Sequence, residues 1–238
     1  MNIGSYNNPY TAAAAQPSAR ATFIRNTYLH LAMAVMALIA IETVFLQTPM
    51  AAALASKMTS GGRMGWLLVL GLFMVASWVA NKWAHSDTSR GLQYAGLALI
   101  TAAYAALLAL PLLVASSMPR YDGVISQALM VTLGLFLGLT AISFMTKKDF
   151  SFLGSIIAIG SFVALGFIIA GAIFGFSLGL IFIVAMILLM AASILYTTSN
   201  VLHHYRTDQH VAASLALFSS VATLFWYVLQ FFMSLSND

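Results

Sequence analysis

Long apolar stretches alternate with short polar punctuation along this chain, and most of the stretches are apolar all round rather than on one face. The pattern predicts helices at Thr27–Leu46, Met64–Trp83, Leu92–Val114, Val124–Met145, Phe152–Ala172, Ser177–Tyr196 and Val211–Phe232. Each holds close to the roughly 20 residues needed to cross a hydrocarbon layer of about 30 Å. Strands do not fit, because a membrane barrel needs alternating segments of about ten residues. The third helix carries Pro111, which should interrupt it, and the seventh carries Ser214, Ser219, Ser220, Thr223 and Gln230. A second arrangement therefore stays open, with six spanning helices and a re-entrant last segment. The reading is an all-α integral membrane protein, with a seven-helix transmembrane domain over residues 20–238. Ahead of it, residues 1–19 are polar and low in complexity, the composition of a flexible tail. No charged region leads that tail straight into an apolar one, so it does not read as a cleavable signal peptide.

Composition agrees. With 61% hydrophobic and only 7% charged residues, against roughly 25% charged in a soluble domain, most of the exposed surface must meet the lipid bilayer. The absence of cysteine excludes disulfides, thiolate metal sites and cysteine nucleophiles. No basic run is long enough for nucleic acid. Charge placement sets the orientation. With the N-terminus inside, cytoplasmic segments hold Arg20, Arg25, Lys82, Arg90, Lys147, Lys148 and Arg206, and the opposite side holds Lys57, Arg63 and Arg120. Seven against three favours a cytoplasmic N-terminus and an external C-terminus.

Small residues at GxxxG spacing, Gly134 with Gly138 and then Gly171, Gly175 and Gly179, are read as sites of close helix packing. The string Gly175-Phe176-Ser177-Leu178-Gly179 matches the nucleophile-elbow pattern. The histidines at 203 and 204, however, fall at the other end of the following helix, roughly 40 Å away at 1.5 Å per residue. No residue reads as catalytic. His203, His204, His210 and Asp208 share one short loop, whose ordinary reading is a solvated turn rather than a metal site. Glu42 is the one acid inside a predicted span. It is read either as a carboxylate snorkelling to the outer headgroups or as the mouth of a cation path. Ser193, Thr197, Asn200 and His204 form one stripe of the sixth helix, and Ser219 or Ser220, Thr223, Tyr227 and Gln230 nearly do so on the seventh. Two such stripes can hydrogen-bond to each other or line a wet cavity.

Two stretches carry more than general membrane character: MTKKDFSFLG, Met145–Gly154, and SILYTTSNVLHHYRTDQHVAASLALF, Ser193–Phe218. With RNTYLHLA at Arg25–Ala32, they resemble the Bax inhibitor-1 family, and the TTSN run resembles its bacterial YccA branch. The resemblance covers the chain from about Arg20 onward. It implies a seven-helix fold with a central last helix, a cytoplasmic N-terminus and, for the bacterial branch, the inner membrane. It makes Lys147, Lys148 and Asp149 the family-motif turn. It also implies one of two activities: binding and restraint of a membrane AAA protease of the FtsH type, or a calcium leak gated by paired acids. In leak-type members an aspartate follows the Leu-Tyr of the sixth helix; that position is Thr197 here, and its partner aligns with Ser220. Neither residue titrates, and calcium prefers carboxylate oxygens, so the protease reading leads and calcium is disfavoured. No cofactor is implied.

Overall fold

The computed structural model describes residues 11–146 and 148–236, without the side chains at 54, 55, 58, 59, 63 and 64. It is built of α1 (Pro17–Phe45), α2 (Pro49–Ser60), α3 (Gly62–Ala84), α4 (Arg90–Ser117), α5 (Val124–Thr146), α6 (Leu153–Phe174), α7 (Gly179–His203) and α8 (His210–Leu235), with a 3-10 turn at Pro119–Tyr121. Seven of these are long and apolar enough to cross a membrane. The eighth, α2, lies between the first two expected helices. Its alanine-rich run starts on a proline that can sit in a first helical turn, but twelve residues make only about 18 Å. It packs against α3 and α4 instead of spanning.

α8 is the centre of the bundle. It packs against α1, α4, α5 and α7 and touches α3. Of its apolar window 67% is buried, against 11% for α6 and α7. α8 runs unbroken for 26 residues, about 39 Å, so a re-entrant last segment has no counterpart here. The outer helices turn their bulk outward: Phe162 on α6 is 76% exposed and Ile181 on α7 is 88% exposed, as lipid contact requires. α4 also passes straight through Pro111 as one helix.

Two ends differ from the sequence reading. α7 runs on past Tyr196 to His203, so the TTSN run is helical. α1 starts at Pro17, ten residues ahead of the expected Thr27. Of the expected tail, residues 1–10 lie outside the described residues. Residues 11–19 are held in place: the Ala12 amide donates to the Tyr205 carbonyl at 2.9 Å, Thr11 forms an antiparallel bridge with Arg206, and Ala12 is fully buried. The backbone at residue 12 thus finds a partner that composition cannot reveal.

The glycine at the tightest helix contact is not one of those expected. A Cβ built on Gly96 in α4 would lie 2.5 Å from the Ala80 carbonyl oxygen and 2.9 Å from the Ala84 nitrogen. α3 and α4 therefore touch backbone to backbone at this point. Gly134 and Gly138 are exposed, and a Cβ on either would meet nothing within 4 Å. Their face of α5 looks outward, while Ala128 and Thr132 look inward. Gly175 closes α6 in the left-handed region at φ +83°, and Gly179 enters α7 at φ +66°. That spacing comes from a turn rather than from helix packing.

Gly96→Ala should lower the unfolding temperature in detergent, at a cost of roughly 1–3 kcal/mol for forcing two backbones apart. Gly134→Ala and Gly138→Ala should leave it unchanged or raise it, by up to about 1 kcal/mol each. Equal losses at all three positions would refute this account of the packing.

Candidate functional site

The polar stripes of α7 and α8 meet inside the bundle. Ser193 Oγ lies 3.0 Å from Ser220 Oγ, and Ser220 also donates to the Ala216 carbonyl at 3.1 Å. Thr197 and Ser220 are both buried. One turn further along α8, the Thr223 hydroxyl stands 2.7 Å from the Tyr104 hydroxyl. Tyr104 donates to the Ser219 carbonyl at 3.0 Å, and Thr223 donates to the same oxygen at 2.8 Å. Nearer the start of α8, Ser214 donates to the Thr27 carbonyl of α1 at 2.8 Å. The seam is thus neutral and largely self-satisfied, the arrangement that joins helices where water is absent. Tyr104 on α4 belongs to it although no periodicity marked it, because a tyrosine in an apolar run gives no sign of which helix it faces.

The second assembly lies where α1, α4 and α8 begin, and it joins the two stretches that carry the family resemblance. Asp149, in the turn between α5 and α6, accepts from the Ser151 amide at 2.9 Å. Its other oxygen lies 3.1 Å from His204 Nε2. Ser199 donates to Asp149 at 3.4 Å and accepts from the Phe150 amide at 2.9 Å. A Cβ on Gly154 would lie 2.9 Å from the Tyr196 ring, so the glycine of one stretch makes room for the tyrosine of the other. The turn from Asp149 to Gly154 is in effect clasped to the TTSN helix end. Lys148 is exposed; Lys147 lies outside the described residues. Asn200 contributes its carbonyl, which accepts from the amides of His204 and Tyr205.

Around Tyr205 the clasp widens. Arg20 of α1 donates to the Leu202 carbonyl at 3.3 Å, and Arg206 bridges Asp208 at 2.5 Å and Asp87 at 3.4 Å. Burial pushes the Tyr205 hydroxyl up to about 12. The hydrogen bond from Arg206 holds the Asp208 carboxyl below its ordinary value. For Asp149, partial burial pulls upward but is outweighed by the bonds from Ser151 and the charge of His204, so its carboxyl too is held low. The three downstream histidines diverge. His203 donates to the Ser199 carbonyl at 2.9 Å, His204 meets Asp149, and His210 lies against His30 with ring centroids 5.0 Å apart. Among the described residues no three His, Cys, Asp or Glu side chains converge on one point.

Glu42 is not a snorkelling side chain. It is 6% exposed, on the inward stripe of α1 with Leu31, Ala34 and Leu38, and neither carboxylate oxygen has a hydrogen-bond partner. Position along the axis was readable from sequence; the direction in which the side chain points was not. Thr223 and Gln230 line a cavity of about 780 Å³ toward the far end of the bundle.

Comparison with known proteins bears on these motifs. The family model described as inhibitor of apoptosis-promoting Bax1 matches residues 20–237. The uncharacterized protein PA2604 of Pseudomonas aeruginosa is 35% identical over 122 residues, 51% of this chain and 54% of that protein. Bax inhibitor 1 of Schizosaccharomyces pombe is 32% identical over 48% of this chain and 44% of its own length. The Golgi anti-apoptotic protein of vaccinia virus strain Lister is 32% identical over 50% of this chain and 51% of that protein. The chain spans about half the length of the curated relatives it matches.

Because Asp149 is held below its ordinary value of 3.8, its contribution to stability is present above that value and is lost as pH falls through the depressed one. Asp149→Asn should therefore lower stability at neutral pH, by no more than about 1 kcal/mol for so exposed a pair. The gap between variant and wild type should close as pH falls below 3.8. Unfolding in detergent at a series of pH values measures it, and a gap that widens on acidification would contradict the clasp.

Proposed function

The chain belongs to the Bax inhibitor-1 family, and we propose that within it this protein is a non-enzymatic partner that binds and restrains a membrane-bound AAA protease of the FtsH type. The observation that carries this reading is the Ser193–Ser220 contact at 3.0 Å. Where the resemblance puts a titrating acid opposite α7, this chain has a serine hydrogen-bonded to another serine. Two like carboxylates sharing a site push one pKa upward and so form a proton switch; two hydroxyls hold helices together and do not titrate. The cytoplasmic face then becomes the working surface. Arg20, Asp87, Asp149, His204 and Arg206 gather there across three loops and the start of α1, a surface of mixed charge available to a soluble or membrane-tethered domain.

The protein's place on this reading is the bacterial inner membrane, with the N-terminus in the cytoplasm and the C-terminus outside. Support comes from the joining of the α3–α4, α5–α6 and α7–α8 loops at one end, which brings together most of the Lys and Arg residues. A calcium leak is the second reading, and the buried, unpartnered Glu42 is what favours it. A lone carboxyl on the inward face of a span is a usual element of ion paths. One carboxylate supplies at most two of the six to eight oxygens that calcium takes.

Two measurements separate the readings. Purification from native membranes in mild detergent should recover an AAA protease in stoichiometric amount, and its absence would sink the leading proposal. In proteoliposomes the wild-type chain should pass no calcium above the background of empty vesicles. The Thr197→Asp, Ser220→Asp double variant should gain a flux that changes with pH. Wild-type flux that disappears in Glu42→Gln would establish the leak instead.

A further inference from the structure

The cavity of about 780 Å³ falls within the range of roughly 300–1,000 Å³ typical of ligand sites; the seam supplies only its floor, through Tyr104 and Thr223, and the clasp does not reach it. It lies between α3, α4, α6, α7 and α8. On α8 it extends from Thr223 to Gln230, from about 20 to 30 Å along the helix. Gly62 and Gly179, the first residues of α3 and α7, stand at its rim. It therefore opens toward the end opposite the charged clasp and reaches down to mid-depth.

Its lining is selective. Among the described residues no Asp, Glu, Lys or Arg contributes, so none of them offers an ion a counter-charge. The wall is aromatic: the Trp66 and Trp226 rings stack with centroids 5.8 Å apart, and Phe73 meets Tyr104 edge-on at 4.9 Å. At the floor, the hydroxyls of Tyr104 and Thr223 bond each other and the Ser219 carbonyl, so they ask little of a ligand. Near the rim, Gln230 and the Tyr227 hydroxyl line the cavity and make no hydrogen bond within the described residues.

Water would hold poorly in the lower part, since an ordered water needs two to four polar partners. A void there would forfeit the dispersion contacts that hold packed interiors together. What satisfies both ends is an amphiphile, apolar below and hydrogen-bonding but uncharged above. α3 and α6 pack far more lightly than α3 and α4, which makes their seam the route by which a bilayer chain would enter. We propose that this cavity seats one acyl chain of a bilayer lipid. The chain lies against Trp66, Phe73 and Trp226, and its ester carbonyl accepts from the Gln230 amide.

The test uses the full chain with Trp78 and Trp83 replaced by phenylalanine, so that Trp66 and Trp226 alone emit. It is reconstituted in phosphatidylcholine vesicles whose acyl chains are brominated. Bromolipid should quench the pair strongly and aqueous acrylamide weakly. Ala172→Phe, which fills the cavity from α6, should lower bromolipid quenching about twofold by excluding the chain, without altering the circular dichroism. Strong acrylamide quenching would show a water-filled vestibule and overturn the proposal. So would bromolipid quenching that Ala172→Phe leaves unchanged, because the indoles would then sense only the outer bilayer. Native mass spectrometry decides independently of that variant folding. Wild-type protein should keep one lipid adduct that Gln230→Leu loses more readily, and protein free of adduct, or an adduct indifferent to Gln230→Leu, would count against the site.

Discussion

Hydrocarbon offers no hydrogen bond, so a polar group carried into the membrane can be satisfied only inside the bundle. α8 carries Ser214, Ser219, Ser220 and Thr223 through the middle of the bundle, and the fold answers by wrapping it. Ser214 reaches α1, Ser220 reaches α7, and Ser219 with Thr223 reaches α4. Three helices are thus tied to the central one at three depths, by bonds that sequence-distant partners complete. The apolar helices outside need only be greasy, which is why α6 and α7 expose so much Phe, Ile and Leu.

The same constraint separates the two ends of the molecule. At one end the loops are solvated, and charge can pair across them: Asp149 with His204, Arg206 with Asp87 and Asp208. Toward the other end, α3, α4, α6, α7 and α8 surround an aromatic hollow with no charged side chain among the described residues. Rigidity by hydrogen bonding and accessibility to an apolar guest are therefore not in competition. They occupy different heights of one bundle.

Much of this was legible from the chain alone, and for a physical reason. A run of apolar residues long enough to cross a bilayer has few alternatives, so the seven spans and the lesser hydrophobicity of the last one were readable. Direction was not. GxxxG spacing at Gly134 and Gly138 marks one face of a helix without saying whether it meets a neighbour or lipid. The contact that matters, Gly96 against Ala80 and Ala84, stands in no such repeat. Glu42 could be placed along the axis but not turned inward or outward. The α2 helix escaped because its twelve residues fall short of a membrane-spanning run. Asp149 and His204, 55 positions apart, were each singled out, yet nothing in their spacing joined them.

The hold on residues 11 and 12 has a mechanical side. The segment runs antiparallel against Tyr205 and Arg206 through main-chain atoms, and α1 follows at Pro17 with Arg20 fastened to the end of α7. Tension applied ahead of residue 11 is therefore carried first into the α7–α8 connection, before it reaches the body of α1. An engine hauling on this end of the polypeptide would be pulling against the most deeply embedded helix of the molecule, through its own anchorage.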